Sequence, residues 1–577
     1  MTSENIAQTI DTNSSPGGLT ADVAAEIEVL QDAASDSRDS QQDTQERVAK
    51  ATGILALGNI ASRVLGLARV VVQTNLFGAG AATDAFKTAT LIPTALYDLL
   101  IAGHVNGAII PVLSEVVTLK GKDELWRLVS VLLSMVTVIL SGIVLVLQVF
   151  APQVIAIFSQ ADVQTRMLAT DLFRITLPAL IFMGMFAVLS GTLYALKRFT
   201  FPALAGVVFN GAIVAVTVLF VAPPQMLPVV GATGATLVVG RAPHAITVMA
   251  LGWLTGAVMQ LVMQVVGLRN SRLRFTLNWR HPALRRIMTL YAPVMFSLVM
   301  DTLVIRPFSY ILADRSGVGA ISYMDYATML IQFPQGLVAT AISIAILPTL
   351  AQQTAEQTEQ AFKSTLGLGL RLATTLIVPA AVGMFVLAMP IIALLLQHGQ
   401  FTAADTETTA QVLRLYLIGL PFAAIDLLLV YAFYARQDTL TPALIGLFTL
   451  AVYMGVALVL QPHYGFYSLM IADTVKHILH ALISGFLLQR RLKGLGGQRL
   501  LLTLLKTSLA AAVMSVAALV TINLLDPVLD QNRLIEEVIF VGISGGVSVL
   551  AFASMALLLR IDEVRWIAQM IMRRVRG

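Results

Sequence analysis

The chain has 577 residues, of which 57% are hydrophobic and 12% charged. A soluble domain carries about 25% charged residues, so this chain could not cover its own surface in water and its excess apolar side chains must face lipid. Cysteine is absent, which excludes disulfides and thiolate metal sites, and the net charge of +5 is too small to mark a nucleic-acid binder.

Residues 1–49 differ in kind from the rest. They hold ten Asp and Glu against two Arg, and Ser, Thr, Gln and Ala fill much of the remainder. Such a segment buries too little apolar surface to offset the entropy of ordering, so it is read as a disordered acidic cytoplasmic tail. No cleavable signal peptide is expected, because the first strongly apolar stretch begins near Ala51 and is too long for one.

From there apolar runs recur to the end. The runs are unbroken, as in Val129–Phe150, and lack the alternation of barrel strands. The spacing therefore predicts an all-α, polytopic membrane protein with spans at roughly 51–77, 84–113, 126–150, 166–196, 201–222, 244–268, 283–312, 321–350, 365–396, 408–434, 441–460, 464–489, 500–525 and 536–560. That is about fourteen helices. Pro93, Pro178, Pro293, Pro307, Pro334, Pro379 and Pro421 fall inside them and predict bends.

Loop charge sets the orientation. With a cytoplasmic N-terminus, the cytoplasmic side receives Lys120, Lys122, Arg127, Lys197, Arg198, the arginines of 269–286, Arg436, Arg490, Arg491, Lys493, Arg499 and the basic C-terminus. The opposite side receives Arg166, Arg241, Arg315 and Arg533. The positive-inside rule then puts both termini in the cytoplasm.

Charges inside the spans mark the candidate site, since each costs at least about 2.5 kcal/mol near the bilayer centre. The first helix carries Arg63 and Arg69; the second Asp84, Lys87, Asp98 and His104; the fourth Asp171 and Arg174; the seventh Asp301 and Arg306; the eighth Asp325; the tenth Arg414 and Asp426; the twelfth Asp473, Lys476, His477 and His480. Asp171 and Arg174 also fit a simple ion pair at the outer interface, the Lys476–His480 group a solvated inner turn, and His104 a packed or capping histidine. Arg63 and Arg69 fit a plain structural role least well. Six residues apart, they cannot both reach one interface, and neither has an acidic neighbour within four residues. Arginine's planar fork of donors suits phosphate. No Walker loop, zinc spacing or nucleophile elbow accompanies them, so the sequence points to no enzyme, no cofactor and no metal site.

Ser62-Arg63-Val64-Leu65-Gly66-Leu67-Ala68-Arg69, then Phe77-Gly78-Ala79-Gly80 and Thr83-Asp84-Ala85-Phe86, resemble the opening of the MurJ/MviN family of lipid II flippases. Arg198-Phe199-Thr200-Phe201-Pro202-Ala203 with Asn210, Phe333-Pro334-Gln335-Gly336, Gly399-Gln400-Phe401-Thr402 and Phe433-Tyr434-Ala435-Arg436-Gln437-Asp438 continue the likeness to about residue 442. The resemblance implies two six-helix lobes plus two C-terminal helices, with an N-terminal lobe over 50–270, a C-terminal lobe over 271–495 and the extra helices with a basic tail over 496–577. It implies a central cationic cavity that opens alternately to either side, lipid II as the substrate, and a groove on the last two helices for the lipid tail. Arg63, Arg69, Ser62, Asp84 and Asn210 fall on matching positions. Two family arginines are replaced, by Tyr97 beside Asp98 and by Met329, and Arg306 is the expected substitute. The family's sodium site is not carried over, because Thr441–Leu460 holds no Asn or Asp. Two further readings stand beside this one: a flippase for another polyprenyl-diphosphate-linked oligosaccharide, and a transport-inactive scaffold for cell-wall synthesis proteins.

Overall fold

The computed structural model describes residues 54, 57–101, 109–221, 223, 225–231, 234–240, 242–268, 271–279, 281–284, 287, 304–495, 497–529, 533–566 and 569. The acidic tail, His104 and Asp301 lie outside the described residues.

Within them the chain is helical almost throughout. In the N-terminal part α1 covers 57–77, α2 Ala81–Ile101, α3 Ile110–Leu119, α4 Gly121–Val149, α5 Ala151–Phe158, α6 Val163–Thr176, α7 Ala179–Ala195, α8 Thr200–Phe220 and α9 Thr247–Gly267. In the C-terminal part come α10 Arg306–Asp314, α11 Ala320–Pro334, a π-helical turn Gln335–Thr340, α12 Ala341–Ala355, α13 Glu359–Val386, α14 Ala388–Leu396, α15 Ala403–Ala435, α16 Leu440–Tyr464 and α17 Tyr467–Arg491. The last pair is α18 Leu500–Leu525 and α19 Leu534–Leu558. Eleven of the described helices, counting kinked pairs as one, are long and apolar enough to cross a bilayer.

The breaks follow the sequence. Pro178 lacks an N–H to donate and separates α6 from α7. Pro334 closes α11, and the chain widens into the π-helical turn before α12 resumes. At α15 the Thr402 side chain accepts from the Asp405 N–H while Asp405 reaches back to the Thr402 N–H, a reciprocal cap that fixes the helix start.

One element was not expected. Gln225–Gly231 and Gly234–Gly240 form an antiparallel hairpin, register Gln225 to Gly240, between α8 and α9. This stretch falls between the expected spans 201–222 and 244–268, and seven-residue strands give no signal at the length of a membrane span.

Each half has its own buried core. One N-terminal cluster is built around Phe86, Phe173, Leu180, Ile213 and Trp253, and one C-terminal cluster around Leu312, Tyr326, Leu413, Leu417 and Met470. The first helix serves both. Ser62 packs against Gly206 of α8, where an added Cβ would come within 2.2 Å of its Oγ, whereas Val70 lies in the C-terminal core. This straddling places α1 along the seam where the halves meet.

Candidate functional site

Arg63 and Arg69 leave α1 in different directions. A helix turns about 100° per residue, so six residues put them roughly 120° apart around its axis. Arg63 Nη1 donates to the carbonyl of Gln332 at 3.2 Å, and its guanidinium fills the space that a Cβ at Gly336 would need. It therefore spans the seam to the end of α11. Arg69 points instead into a cavity of about 150 Å³ between the halves, lined also by Gln73, Lys87, Trp253, Arg306, Tyr310 and Asp325. Its guanidinium lies 5.7 Å from the Trp253 ring centre, a cation–π contact, and among the described residues it has no hydrogen bond or ion pair.

Arg306, from the start of α10, lines the same cavity. Its Nη1 donates to Asp98 Oδ2 at 2.6 Å. Asp98 is the carboxylate beside Tyr97, at the position where the family resemblance leads one to expect an arginine. Arg306 thus brings a cation from the C-terminal half to that carboxylate. Lys87 of α2 pairs with Asp325 of α11 at 2.9 Å, and Tyr310 donates to the same aspartate at 2.9 Å. The cavity lining therefore carries three cationic side chains, Arg69, Lys87 and Arg306, against the one carboxylate of Asp325.

Two buried donors in this lining are unsatisfied. Among the described residues, Gln73 Nε2 and Trp253 Nε1 have no hydrogen-bond partner. Buried polar groups are satisfied in the great majority of cases, so two orphan N–H donors beside an unpaired guanidinium describe a surface made to receive acceptors. Lys87 is visible in the sequence as a charge in an apolar helix, whereas Gln73 carries no such signal.

The other three candidate residues sit elsewhere. Asn210 Nδ2 donates to the carbonyls of Gly206 at 3.0 Å and Ser62 at 3.4 Å, binding α1 to α8. Ser62 lines a separate cavity of about 270 Å³ inside the N-terminal half, with Asn59, Tyr97, Tyr194 and Gln260. Asp84 is buried in the first turn of α2, with 5% of its surface exposed. It accepts from the Gly319 N–H at 2.5 Å and from the Ser322 N–H and hydroxyl at 3.0 and 2.6 Å. It caps the free N–H groups at the start of α11 from across the seam.

Other bonds close the same end. Asp314 accepts from Ser159 Oγ at 3.3 Å and from the Gln160 N–H, the Gln400 N–H donates to Asn75 O at 2.9 Å, and the Tyr326 hydroxyl donates to Gly78 O at 3.2 Å. Each joins the N-terminal half to the C-terminal half. Gly78 (φ +67°) and Gly399 (φ +63°) permit the approach, since a Cβ at Gly399 would stand 2.2 Å from Asn75 O.

Two charged groups singled out in the sequence resolve differently. Asp171 and Arg174 form no ion pair with each other, although both are described. The group on α17 is not a solvated turn: Lys476 pairs with Asp473 at 2.5 Å, His477 lies 3.7 Å from the same carboxylate, and His480 bonds Asp426 of α15, with side chains between 13% and 26% exposed.

The family model for the lipid II flippase MurJ matches residues 74–538. The chain belongs to this family. Relatives include the lipid II flippase MurJ of Burkholderia cenocepacia, 31% identical over 74% of this chain and 81% of that protein. The probable lipid II flippase MurJ of Haemophilus influenzae is 29% identical over 73% and 82%. Among solved structures, the lipid II flippase MurJ in an inward closed conformation matches with a TM-score of 0.71 over 88% of this chain and 99% of that one, at 21% identity. An inward-facing multidrug resistance transporter of the MATE family matches with a TM-score of 0.60 at 14% identity. These two likenesses concern the fold alone, a polytopic bundle of membrane helices.

Proposed function

We propose that the protein moves lipid II, a polyprenyl-diphosphate-linked peptidoglycan precursor, from the inner to the outer leaflet of a bacterial cytoplasmic membrane by alternating access. The reading rests on family membership and on one observation, the cavity in which Arg69 and Arg306 from opposite lobes meet the orphan donors of Gln73 and Trp253.

A diphosphate cannot leave water without compensation, because an isolated charge in an apolar medium costs many kcal/mol. Arg69 brings a guanidinium with no ion pair among the described residues, Lys87 and Arg306 bring cations that already face Asp325 and Asp98, and phosphate oxygens added beside them offset the cationic excess of the lining. At about 150 Å³ the cavity is below the 300–1,000 Å³ usual for ligand pockets, so the head group enters once the inner ends of the lobes part. The bonds of Asp84 and Asp314 keep the outer path shut during loading and must break for release. Arg63, at the seam on the inner side of Arg69, is positioned to meet the diphosphate first. Ser62 and Asn210 serve by holding α1 in place. No bond in the substrate is made or broken, so no catalytic group is assigned. Both termini lie in the cytoplasm under the loop-charge asymmetry.

Complementation of a flippase-depleted strain tests the site. Arg69→Ala and Arg63→Ala reach the membrane and fail to rescue growth; full rescue by both removes the site. Rescue that tracks residues 1–49 and ignores Arg69 would favour a scaffold instead.

A further inference from the structure

The cavity of about 270 Å³ inside the N-terminal half, enclosed by α1, α2, α7, α8 and α9, has no charged side chain in its lining. Tyr97, Ser190, Tyr194 and Gln260 supply polar groups, and Phe186 and Phe209 supply apolar walls. Gln260 is the informative member. It is 3% exposed, and its Nε2 has no hydrogen-bond partner among the described residues. The hydroxyls of Tyr97 and Tyr194 make no hydrogen bond among them either. A buried amide N–H without an acceptor is rare in a finished fold.

This lining narrows the ligand. An orphan donor calls for a carbonyl or hydroxyl oxygen. A charged group has nothing here to neutralise it and would stay in water. The ligand is therefore neutral, bears hydroxyls and a strong acceptor, and has a face apolar enough to lie against aromatic rings. A sugar ring with an acetamido carbonyl has all of these.

Placement ties the cavity to the cations. Ser62 in its lining precedes Arg63 on α1, and Tyr97 precedes Asp98, the partner of Arg306, on α2. Phe209 meets Trp253 of the Arg69 cavity edge-on, with ring centres 5.0 Å apart. Gln260 follows Trp253 by two helical turns, about 10 Å along the same face of α9. The neutral cavity and the cationic one thus stand back to back across one aromatic wall.

We propose that the neutral cavity receives the sugar next to the diphosphate and that Gln260 Nε2 donates to the carbonyl of its N-acetyl group. The inference rests on the transport reading above and adds selectivity to it. The arginines take any polyprenyl diphosphate, whereas Gln260 separates an N-acetylated sugar from a plain hexose. At about 270 Å³ the cavity takes one ring rather than an oligosaccharide.

Binding of three undecaprenyl diphosphates to the purified full-length protein tests this: one carries N-acetylglucosamine, one glucose and one no sugar. Wild type binds the N-acetylglucosamine form about tenfold more tightly than the glucose form, the worth of one hydrogen bond to an otherwise unpaired donor. Gln260→Met, close to glutamine in volume, abolishes that preference and leaves binding of the sugar-free form unchanged. Equal binding of the two sugar forms by wild type overturns the proposal, and so does a preference that survives in Gln260→Met. Loss of sugar-free binding in Gln260→Met overturns it as well, because the change would then act on the fold rather than on the sugar. Arg69→Ala weakens all three forms and keeps their ratio. Undiminished binding of the sugar-free form by Arg69→Ala would count against the diphosphate site and leave the sugar preference to stand or fall by Gln260.

Discussion

Asp84 of α2 and Ser322 of α11 are joined twice, the carboxylate accepting from both the backbone N–H and the hydroxyl of the same serine at 3.0 and 2.6 Å. The two residues belong to different halves of the chain, so this pair ties the halves together as well as capping a helix. Hydrogen bonds to a charged acceptor are worth about 1.5–3 kcal/mol each, and loss of a cap costs about 0.5–2 kcal/mol. Asp84→Asn therefore shifts the balance toward a state open at the outer end. The chain has no cysteine, so Gln400→Cys gives a single label site beside Asn75. A membrane-impermeant maleimide labels this position about tenfold faster in the Asp84→Asn background, and equal rates contradict the tie.

The cavity ion pairs make separable predictions. Removing one partner of a buried pair leaves an uncompensated charge and costs about 3–5 kcal/mol, whereas removing both costs less. Lys87→Met lowers the unfolding temperature in detergent, and adding Asp325→Asn recovers most of the loss. A double variant less stable than the single one argues against their coupling.

Asp98 and Arg306 differ in expected role. Arg306→Ala abolishes transport, because a cation is lost from the cavity. Asp98→Asn keeps transport within about threefold, because the Arg306 cation stays in the cavity lining when its carboxylate partner is neutralised. Initial rates in reconstituted vesicles read both, and the reverse ranking contradicts the assignment.

How much of this was legible beforehand differs by level. The spans were readable because lipid demands long apolar runs, and the observed helices start and stop close to the expected ones, as at Leu500–Leu525. The hairpin at 225–240 was not, since its small and branched residues resemble a loop at span resolution. Each charge of the site was visible alone. The pairings were not, because Arg306 and Asp98 are 208 positions apart and Ser322 and Asp84 238 apart, and no local pattern encodes such contacts. Asp84, read from the resemblance as a substrate residue, instead bonds the start of α11, because its place in the first turn of α2 brings it beside Gly319 and Ser322.

Tight packing predicts a mechanical effect at the α1–α8 seam. A Cβ at Gly58 would stand 2.4 Å from Ala203 O, a backbone atom that cannot swing aside. Gly58→Ala costs about 1–3 kcal/mol through overpacking and displaces α1. A thermal melt unchanged from wild type contradicts that contact.

An acid-sensitive contact holds the turn between α15 and α16. Burial pushes the Asp438 carboxyl up, but hydrogen bonds from Thr441 and Arg491 outweigh it and hold the pKa at about 2, below the ordinary 3.8. A carboxylate with a depressed pKa stabilises the fold above its unfolded value, and that contribution fades as pH falls from about 4 through about 2. The difference in melting temperature between wild type and Asp438→Asn is therefore full at neutral pH and shrinks across this window. A constant difference contradicts the assignment.

Flipping of labelled lipid II, followed by its accessibility on each leaflet of vesicles containing purified protein, bears most directly on the central claim. Wild type translocates the lipid, and Arg69→Ala, inserted to the same level, drops to the rate of protein-free vesicles. Translocation by Arg69→Ala at the wild-type rate would contradict the cationic cavity as the carrier of the diphosphate.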